Sequence, residues 1–371
     1  MLILFGLIPF ARLFSFTNFT SGDDTVVGNS QTKSTLDRCA ALKKTIQRYS
    51  TQRQMTIITS KRHPIKFYAV IIFVSLFIAA LGTLILFVSI DLLQKENPDT
   101  KNYFLPFFSF IFYFLAFSMV YAYWKNSPKV TIDNHTITFG NERFYLKDIK
   151  KVTLTGKMPF KLIIRFPMEG TALIFIDGTE KYFFDDLFSN SWEIKSFLEQ
   201  TVIKKEEYIP TQIEKVDSNM IRFERFETFK GAQITSLRGI MLWGLIGIFA
   251  FLLISKTQSA SKGFLIFLLV SGTFWFLINS WLMHFFCITN EYFIVKNHNF
   301  VWVAKIYRIK DIAEIVYEAQ GNQPNSLRII TKDFKNKIYP AGTLRDKTWL
   351  EMKSRLEMKG VKVRNECIPE E

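Results

Sequence analysis

Hydrophobic and polar positions follow one order along the chain and then follow it again. From Phe67 to Ile90 the chain reads FYAVIIFVSLFIAALGTLILFVSI, 24 residues without a charge. A bilayer core about 30 Å thick needs roughly 20 helical residues, so this run predicts a membrane-spanning helix. A polar loop with Asp91, Lys95, Glu96, Asp99 and Lys101 follows. Tyr103 to Trp124 is a second uncharged run, with aromatics at both ends where interfacial belts favour them. After Trp124 the pattern changes to alternation. KVTID (129–133), TITFG (136–140), RFYLK (143–147), IKKVTLT (149–155), FKLIIRF (160–166), TALIFID (171–177) and KYFF (181–184) read as strands. Between them, Asp-Asn-His, Gly-Asn-Glu, Met-Glu-Gly (168–170) and Asp-Gly-Thr-Glu (177–180) read as turns. DDLFSNSWEIKSFLEQTVI then takes helical spacing, with Trp192, Phe197 and Leu198 able to share an apolar stripe.

The second pass is looser. Gly239–Ser255 and Gly263–Phe286 are apolar runs joined only by KTQSASK, which predicts a tight helical hairpin. CITN, YFIVKN (292–297), NFVWVAKIYRI, IAEIVYEAQ, SLRIITKD and NKIYPAG read as strands, and DKTWLEMKSRLEMKG (346–360) as a helix. YLKDIKKV (145–152) is echoed by YRIKDIAEIV (307–316) at an offset of 163. Trp192 and Lys195-Ser196 match Trp349 and Lys353-Ser354 approximately, at 158 for the Lys-Ser pair. The second copy is therefore expected to lack about five residues in a hairpin loop, a change that duplicated domains tolerate well.

The expected architecture is α+β: four transmembrane helices in two hairpins, each followed by a β-sandwich or partly open barrel with a C-terminal helix. Residues 55–66 lead into hairpin 67–124 and β-domain 125–203, a linker spans 204–238, hairpin 239–286 precedes β-domain 287–361, and 362–371 is a tail. Within the linker, MIRFERFETF reads equally as a membrane-surface amphipathic segment or an edge strand. Residues 1–54 lack the basic leading region of a signal peptide, Arg12 interrupts their apolar start, and 17–54 show no sustained period. The expected native start is Met55.

Composition agrees: 49% of the 371 residues are hydrophobic and 39 are Phe, too many for a soluble chain of ordinary make-up. The net charge of +14 is uneven, with 10 cations against 3 anions in residues 1–66 and near balance in both polar regions. Nucleic-acid binding asks for clustered Lys and Arg on one face, so no nucleic-acid partner is expected. Lys61, Arg62 and Lys66 before the first helix and Lys125 and Lys129 after the second place the amino terminus and both polar domains on the cytoplasmic side.

Candidate chemistry is sparse. Cys39, Cys287 and Cys367 share no close spacing. His63, His135, His284 and His298 lack partners at metal-ligand spacing, and His284 is expected at the membrane interface, near the end of the fourth helix. Asp185-Asp186 reads as a helix-capping pair. Asn279 interrupts the fourth apolar run and is expected to bond across helices, while Gly244, Gly247 and Ala250 are expected to let the third helix pack closely. No catalytic residue, cofactor or metal ligand is assigned.

With the hairpins, the strand series, the Lys-Asp-Ile turn and the Trp-bearing last helix in view, the chain resembles bacterial membrane proteins carrying PH-like domains, over about 61–203 and 219–360. The resemblance implies a fold and a membrane setting rather than an activity. One departure is specific: phosphoinositide-binding PH domains share a basic first loop, but here that turn is Asp133-Asn134-His135 and Thr289-Asn290-Glu291. The expected function is a non-enzymatic membrane protein that displays two cytoplasmic PH-like domains to a protein partner or a further copy of itself. The alternative is a lipid-sensing or lipid-handling role, with Lys147, Lys150, Lys151, Lys157 and Lys161 contacting anionic headgroups.

Overall fold

The computed structural model describes residues 57–95, 100–161, 165–211, 213–214, 216, 225–256, 262–302, 304–319 and 323–370. The extension 1–54 and the expected start at Met55 lie outside the described residues. Four helices are long and apolar enough to cross a membrane: Pro64–Leu93, Asn102–Asn126, Leu237–Ser255 and Lys262–Trp281. The first opens with a π turn at Pro64–Ala69 and continues as α1 (Val70–Leu93); α2 (Leu105–Asn126) returns alongside it. Gly82 lets them approach, since a Cβ there would lie 3.1 Å from Phe112 Cβ, and Thr83 Oγ1 meets the Tyr113 hydroxyl at 2.9 Å.

The first β-unit is built round the feet of this hairpin. β1 (Ile58–Thr59) precedes the helices and β2 (Val130–Ile132) follows them, yet the two pair antiparallel, so one strand register sets where both helices start and stop. β3 (Thr136–Phe139) and β4 (Glu142–Tyr145) complete that sheet. A 3-10 turn at Leu146–Asp148 leads to the second sheet, made of β5 (Ile149–Thr153), β6 (Lys157–Lys161), β7 (Arg165–Phe175) and β8 (Glu180–Phe184). Helix α3 (Ser191–Leu198) closes the unit with Ile194, Phe197 and Leu198 buried.

Two sequence readings are corrected here. FKLIIRF is not one strand: its ends belong to β6 and β7, which pair with each other at Phe160–Phe166 and Lys161–Arg165. Met-Glu-Gly is not a turn but the middle of β7. Gly170 is required by crowding, because a Cβ there would sit 2.6 Å from the Phe183 carbonyl oxygen on β8. A glycine in a strand signals either a turn or a close approach, and only the neighbouring strand tells them apart.

The second unit has the same plan. β9 (Glu227–Phe229) precedes the hairpin α4 (Leu237–Lys256) and α5 (Lys262–Trp281) and pairs with β10 (His284–Ile288) after it. Glu227–Phe229 of the linker is thus an edge strand; residues 220–224 of that segment lie outside the described residues. β11 (Tyr292–Asn297) and β12 (Ala304–Arg308) extend the first sheet. β13 (Ile312–Glu318), β14 (Ser326–Thr331) and β15 (Asn336–Pro340) form the second, and α6 (Asp346–Met358) closes it. The apolar run to Phe286 is divided: the helix ends at Trp281 and His284–Phe286 belong to β10, where His284 is fully buried rather than interfacial. The tail is also more than a tail, since β16 (Lys362–Asn365) adds to β13 in parallel.

Corresponding hydrogen bonds hold the two units. The Leu146 amide reaches the His135 carbonyl at 2.9 Å and the Ile309 amide that of Glu291 at 2.7 Å; the Ile176 and Lys332 amides reach the Asp148 and Asp311 carbonyls, each at 2.8 Å. A bulge follows each Lys-Asp turn, between Ile149 and Lys151 and between Ile312 and Glu314. The Lys-Asp segment is therefore structural in both units, a 3-10 corner between two sheets. The helices match less well than the sequence suggests. Trp349 is fully buried in its core, edge-on to Tyr317 at 4.7 Å, whereas Trp192 is half-exposed beneath the Lys335 ammonium at 4.6 Å. The N-caps are Asn190 and Arg345, which sets Ile194, not Trp192, opposite Trp349.

The feet of the helices are fixed to the sheets. His63 Nδ1 caps the first helix, accepting from the Ile65 and Lys66 amides at 3.3 and 3.1 Å. Burial and then Lys66 hold its pKa below the ordinary value, which keeps that nitrogen an acceptor. The Arg62 guanidinium lies 4.0 Å from the Trp124 ring and donates to the Ser127 carbonyl at 2.9 Å. In the second hairpin Asn279 does bond across helices, accepting from Arg238 at 3.2 Å. The close-packing glycine is Gly272, against Phe249; Gly244 and Gly247 have nothing within 4 Å, and Ala250 is exposed. The small face of α4 therefore points away from α5.

Candidate functional site

The densest chemistry among the described residues lies where the two β-units meet. Asp185 and Asp186 stand just after β8, five residues or more before α3, so they do not cap it; Asn190 occupies the N-cap. They are ion partners instead. Asp186 Oδ1 takes Lys66 Nζ at 2.9 Å, from the first turn of the first membrane helix, and its Oδ2 takes Arg328 Nη2 at 3.1 Å, from β14 of the second unit. Arg328 is fully buried and also holds Glu318 Oε1 at 3.1 Å and Asn336 Oδ1 at 3.1 Å. Asn336 in turn donates to Asp185 Oδ2 at 2.9 Å, where the buried Lys195 Nζ lies at 2.6 Å.

A second arm of the cluster starts on the β6–β7 hairpin. Lys157 pairs with Glu318 and lies 3.8 Å from Glu169 and 3.6 Å from Glu366. Glu169 accepts both Arg364 Nη2 contacts, at 2.9 and 3.1 Å, together with the Gly156 amide at 2.7 Å. Arg364 sits on β16, reaches Glu366 at 2.7 Å and Glu314 at 3.5 Å. Lys362 closes the rim on Glu314 at 2.8 Å. The ions thus alternate in sign through the junction and tie the foot of a membrane helix to the far unit.

Burial and charge oppose each other throughout. Asp185 has its pKa raised by burial, against the pull of Lys195 and Arg328. Glu366 is likewise raised by burial, opposed by Lys157 and Arg364. Burial alone would lower Arg328, but Asp186 and Glu318 raise it above its ordinary value. Desolvating such ions costs about as much as their attraction returns, whereas removing one partner costs about 3–5 kcal/mol. The arrangement therefore selects one relative placement of the units more than it stabilises either. The ammonium and guanidinium nitrogens described face carboxylates, an arrangement suited to clamping. Among the described residues no group of three His, Cys, Asp or Glu is placed to hold a metal ion.

The five lysines predicted for headgroups are not one surface. Lys157 is drawn into the junction. Lys147, Lys150, Lys151 and Lys161 are exposed, but Lys161 lies beside the membrane foot, where Asn126 Nδ2 donates to its carbonyl. Lys150 and Lys151 lie at the opposite end of β7, whose 11 residues span about 33 Å. The two ends are therefore separate patches, several screening lengths of about 8 Å apart. The junction residues escaped the sequence reading because no local spacing brings them together. The sole local signal was the Asp-Asp pair.

No model of a known protein family matches the chain, and no curated protein matches it significantly.

Proposed function

We propose that the chain is a non-enzymatic membrane scaffold: a duplicated unit of helical hairpin and PH-like β-sandwich, with both sandwiches on the cytoplasmic side and presented as one platform to a protein partner. The observation that carries this reading is the ionic junction. Two sandwiches on separate hairpins would otherwise rotate freely, and interfaces between domains of one chain are commonly mobile. A buried chain of ions from Lys66 through Asp186 and Arg328 to Glu318 holds them in one register. A fixed pair of weak sites gains avidity only when its geometry suits both contacts at once. The duplication is supported by the paired bulges, the paired 3-10 corners and the strand that precedes each hairpin.

The cytoplasmic assignment rests on the cations at the first hairpin's feet. Crosslinking of the tagged protein in its native membrane, followed by mass spectrometry, tests the proposal. A reproducible stoichiometric partner bound on the sandwiches supports it; recovery of self-crosslinks and lipid alone overturns it in favour of lipid handling. Accessibility of Lys150→Cys to an impermeant thiol reagent in sealed, right-side-out vesicles tests the sidedness, and labelling there reverses it.

A further inference from the structure

The tip of the β11–β12 hairpin carries two large apolar side chains that the fold leaves open. Val301 is 80% and Trp302 75% exposed. Among the described large hydrophobic residues, only Leu237 at 78% and Ile254 at 81% are comparable, and both lie on α4, a membrane-length helix. Large apolar side chains exposed to that degree on a soluble face are costly, by about 25 cal/mol for each Å² left in water. Their place in the fold explains them.

The tip is fastened to the end of α5. Asn297 Nδ2 donates to the Ser280 carbonyl at 2.8 Å, and Asn299 Nδ2 to Ser280 Oγ at 2.8 Å. Asn297 Oδ1 accepts from the Asn299 and Phe300 amides at 3.0 Å each, which shapes the loop, and Gln233 braces it through Asn299 at 2.8 Å. Phe300 lies edge-on to Phe276 at 6.4 Å and against Trp302 at 5.5 Å. Phe276 is five residues inside the end of α5, about 7.5 Å along the helix at 1.5 Å per residue. The loop therefore climbs beside the membrane helix instead of turning under it. Lys305 is exposed on β12 just behind.

We propose that Val301 and Trp302 form an interfacial anchor that inserts into the headgroup–acyl boundary of the same leaflet that α5 leaves, with Lys305 at the phosphate level. Trp is favoured at that depth because its ring is apolar and its N–H polar, and a lysine stem reaches up to the phosphates from the same strand. The occupant is lipid because the patch is continuous with a lipid-facing helix and held rigidly against it. The first unit offers a contrast. Its corresponding turn is Gly140-Asn141, beside Pro128 at the foot of α2, polar and exposed. The anchor rests on the reading that α5 crosses a bilayer, and it adds a lipid contact made by the β-unit itself.

The test uses the full chain in vesicles of phosphatidylcholine with phosphatidylglycerol. Cys39 and Cys367 are replaced by serine, and Cys287 is kept because it is fully buried. A polarity-sensitive fluorophore is placed at Val301→Cys, at Phe267→Cys in α5, or at Ile176→Cys on the far edge of the first unit. The expected result at 301 is a several-fold weaker iodide quenching than at 176, with strong quenching by lipids brominated near the headgroup. Iodide quenching equal to that at 176 overturns the anchor while strong deep-bromine quenching at 267 leaves the membrane helix intact. Absence of lipid quenching at 267 instead overturns the membrane reading beneath it. Protection at 301 from both iodide and bromolipid overturns the lipid assignment in favour of a protein occupant.

Discussion

The two β-units share a plan and differ in where each extends toward the membrane. Matching residues are 156 apart at His135 and Glu291, 163 apart at Leu146 and Ile309, and 156 apart again at Phe175 and Thr331, each pair identified by corresponding hydrogen bonds. The second unit is thus seven residues longer across its third and fourth strands, in the β11–β12 hairpin whose tip carries Val301 and Trp302. The first unit is seven longer in the β6–β7 arm, where Phe160 packs on Tyr123 of α2 at 5.2 Å. One unit reaches its own hairpin with a strand pair, the other with a loop. The sequence offset was read as a loss of about five residues from one loop. Counted between corresponding hydrogen bonds, the units differ by seven residues in each of two hairpins, in opposite directions.

The sharpest way to break the comparison is at the junction, where charged residues of the two units are buried together. Arg328→Met removes the buried cation that Asp186 and Glu318 share and leaves each with a single lysine, Lys66 and Lys157, and the expected loss is about 3 kcal/mol. It should be seen as a lower thermal midpoint in detergent and as exposure of both units to protease together. A variant with wild-type stability would mean that the units hold their placement by other contacts. Next come the two tryptophans. Trp349→Ala removes a fully buried ring and should cost about 3–5 kcal/mol, whereas Trp192→Ala loses mainly its contact with Lys335, about 1 kcal/mol or less. Equal costs would restore the equivalence that the sequence suggested.

Acid should separate the units further. His284 is fully buried in the second unit, and burial brings its pKa down to about 4, against 6.5 ordinarily. The unfolded chain takes up that proton near pH 6.5 and the folded chain does not, so the His284 contribution is complete above 6.5 and is lost as pH falls toward 4. The loss amounts to about 3 kcal/mol. Scanning calorimetry of the wild type and H284Q across that window checks the sign: the variant's midpoint should fall less steeply. A smaller effect concerns glycines. At Gly231 a Cβ would lie 1.9 Å from the Thr343 carbonyl oxygen, so Gly231→Ala should cost about 1–3 kcal/mol, although the first unit carries Arg62 just after its own β1. Gly244→Ala and Gly247→Ala face open space and should leave the midpoint unchanged; a loss there would reveal a neighbour on that face of α4.

The amino-acid sequence determined what local pattern can determine. Run length sufficed for four membrane-length helices because a span is a property of one uninterrupted segment. Alternation sufficed for most strands, and the Lys-Asp echo marked the same 3-10 corner in both units. Three features failed at the first place where a neighbour mattered. Gly170 looked like a turn until β8 supplied the crowding. The apolar stretch after Trp281 read as helix because burial in a sheet and burial in lipid use the same residues. The tail carried no signal for β16, whose partner β13 lies beyond a whole helix. The junction was the least legible of all: Asp186 meets Arg328 across 142 positions, and Glu169 meets Arg364 across 195. Ion pairs have no period and no preferred spacing in sequence. Only the tertiary fold, by bringing Asp186 after the end of β8 to Arg328 on β14 and Arg364 on β16 to the middle of β7, decided which charges would be buried together.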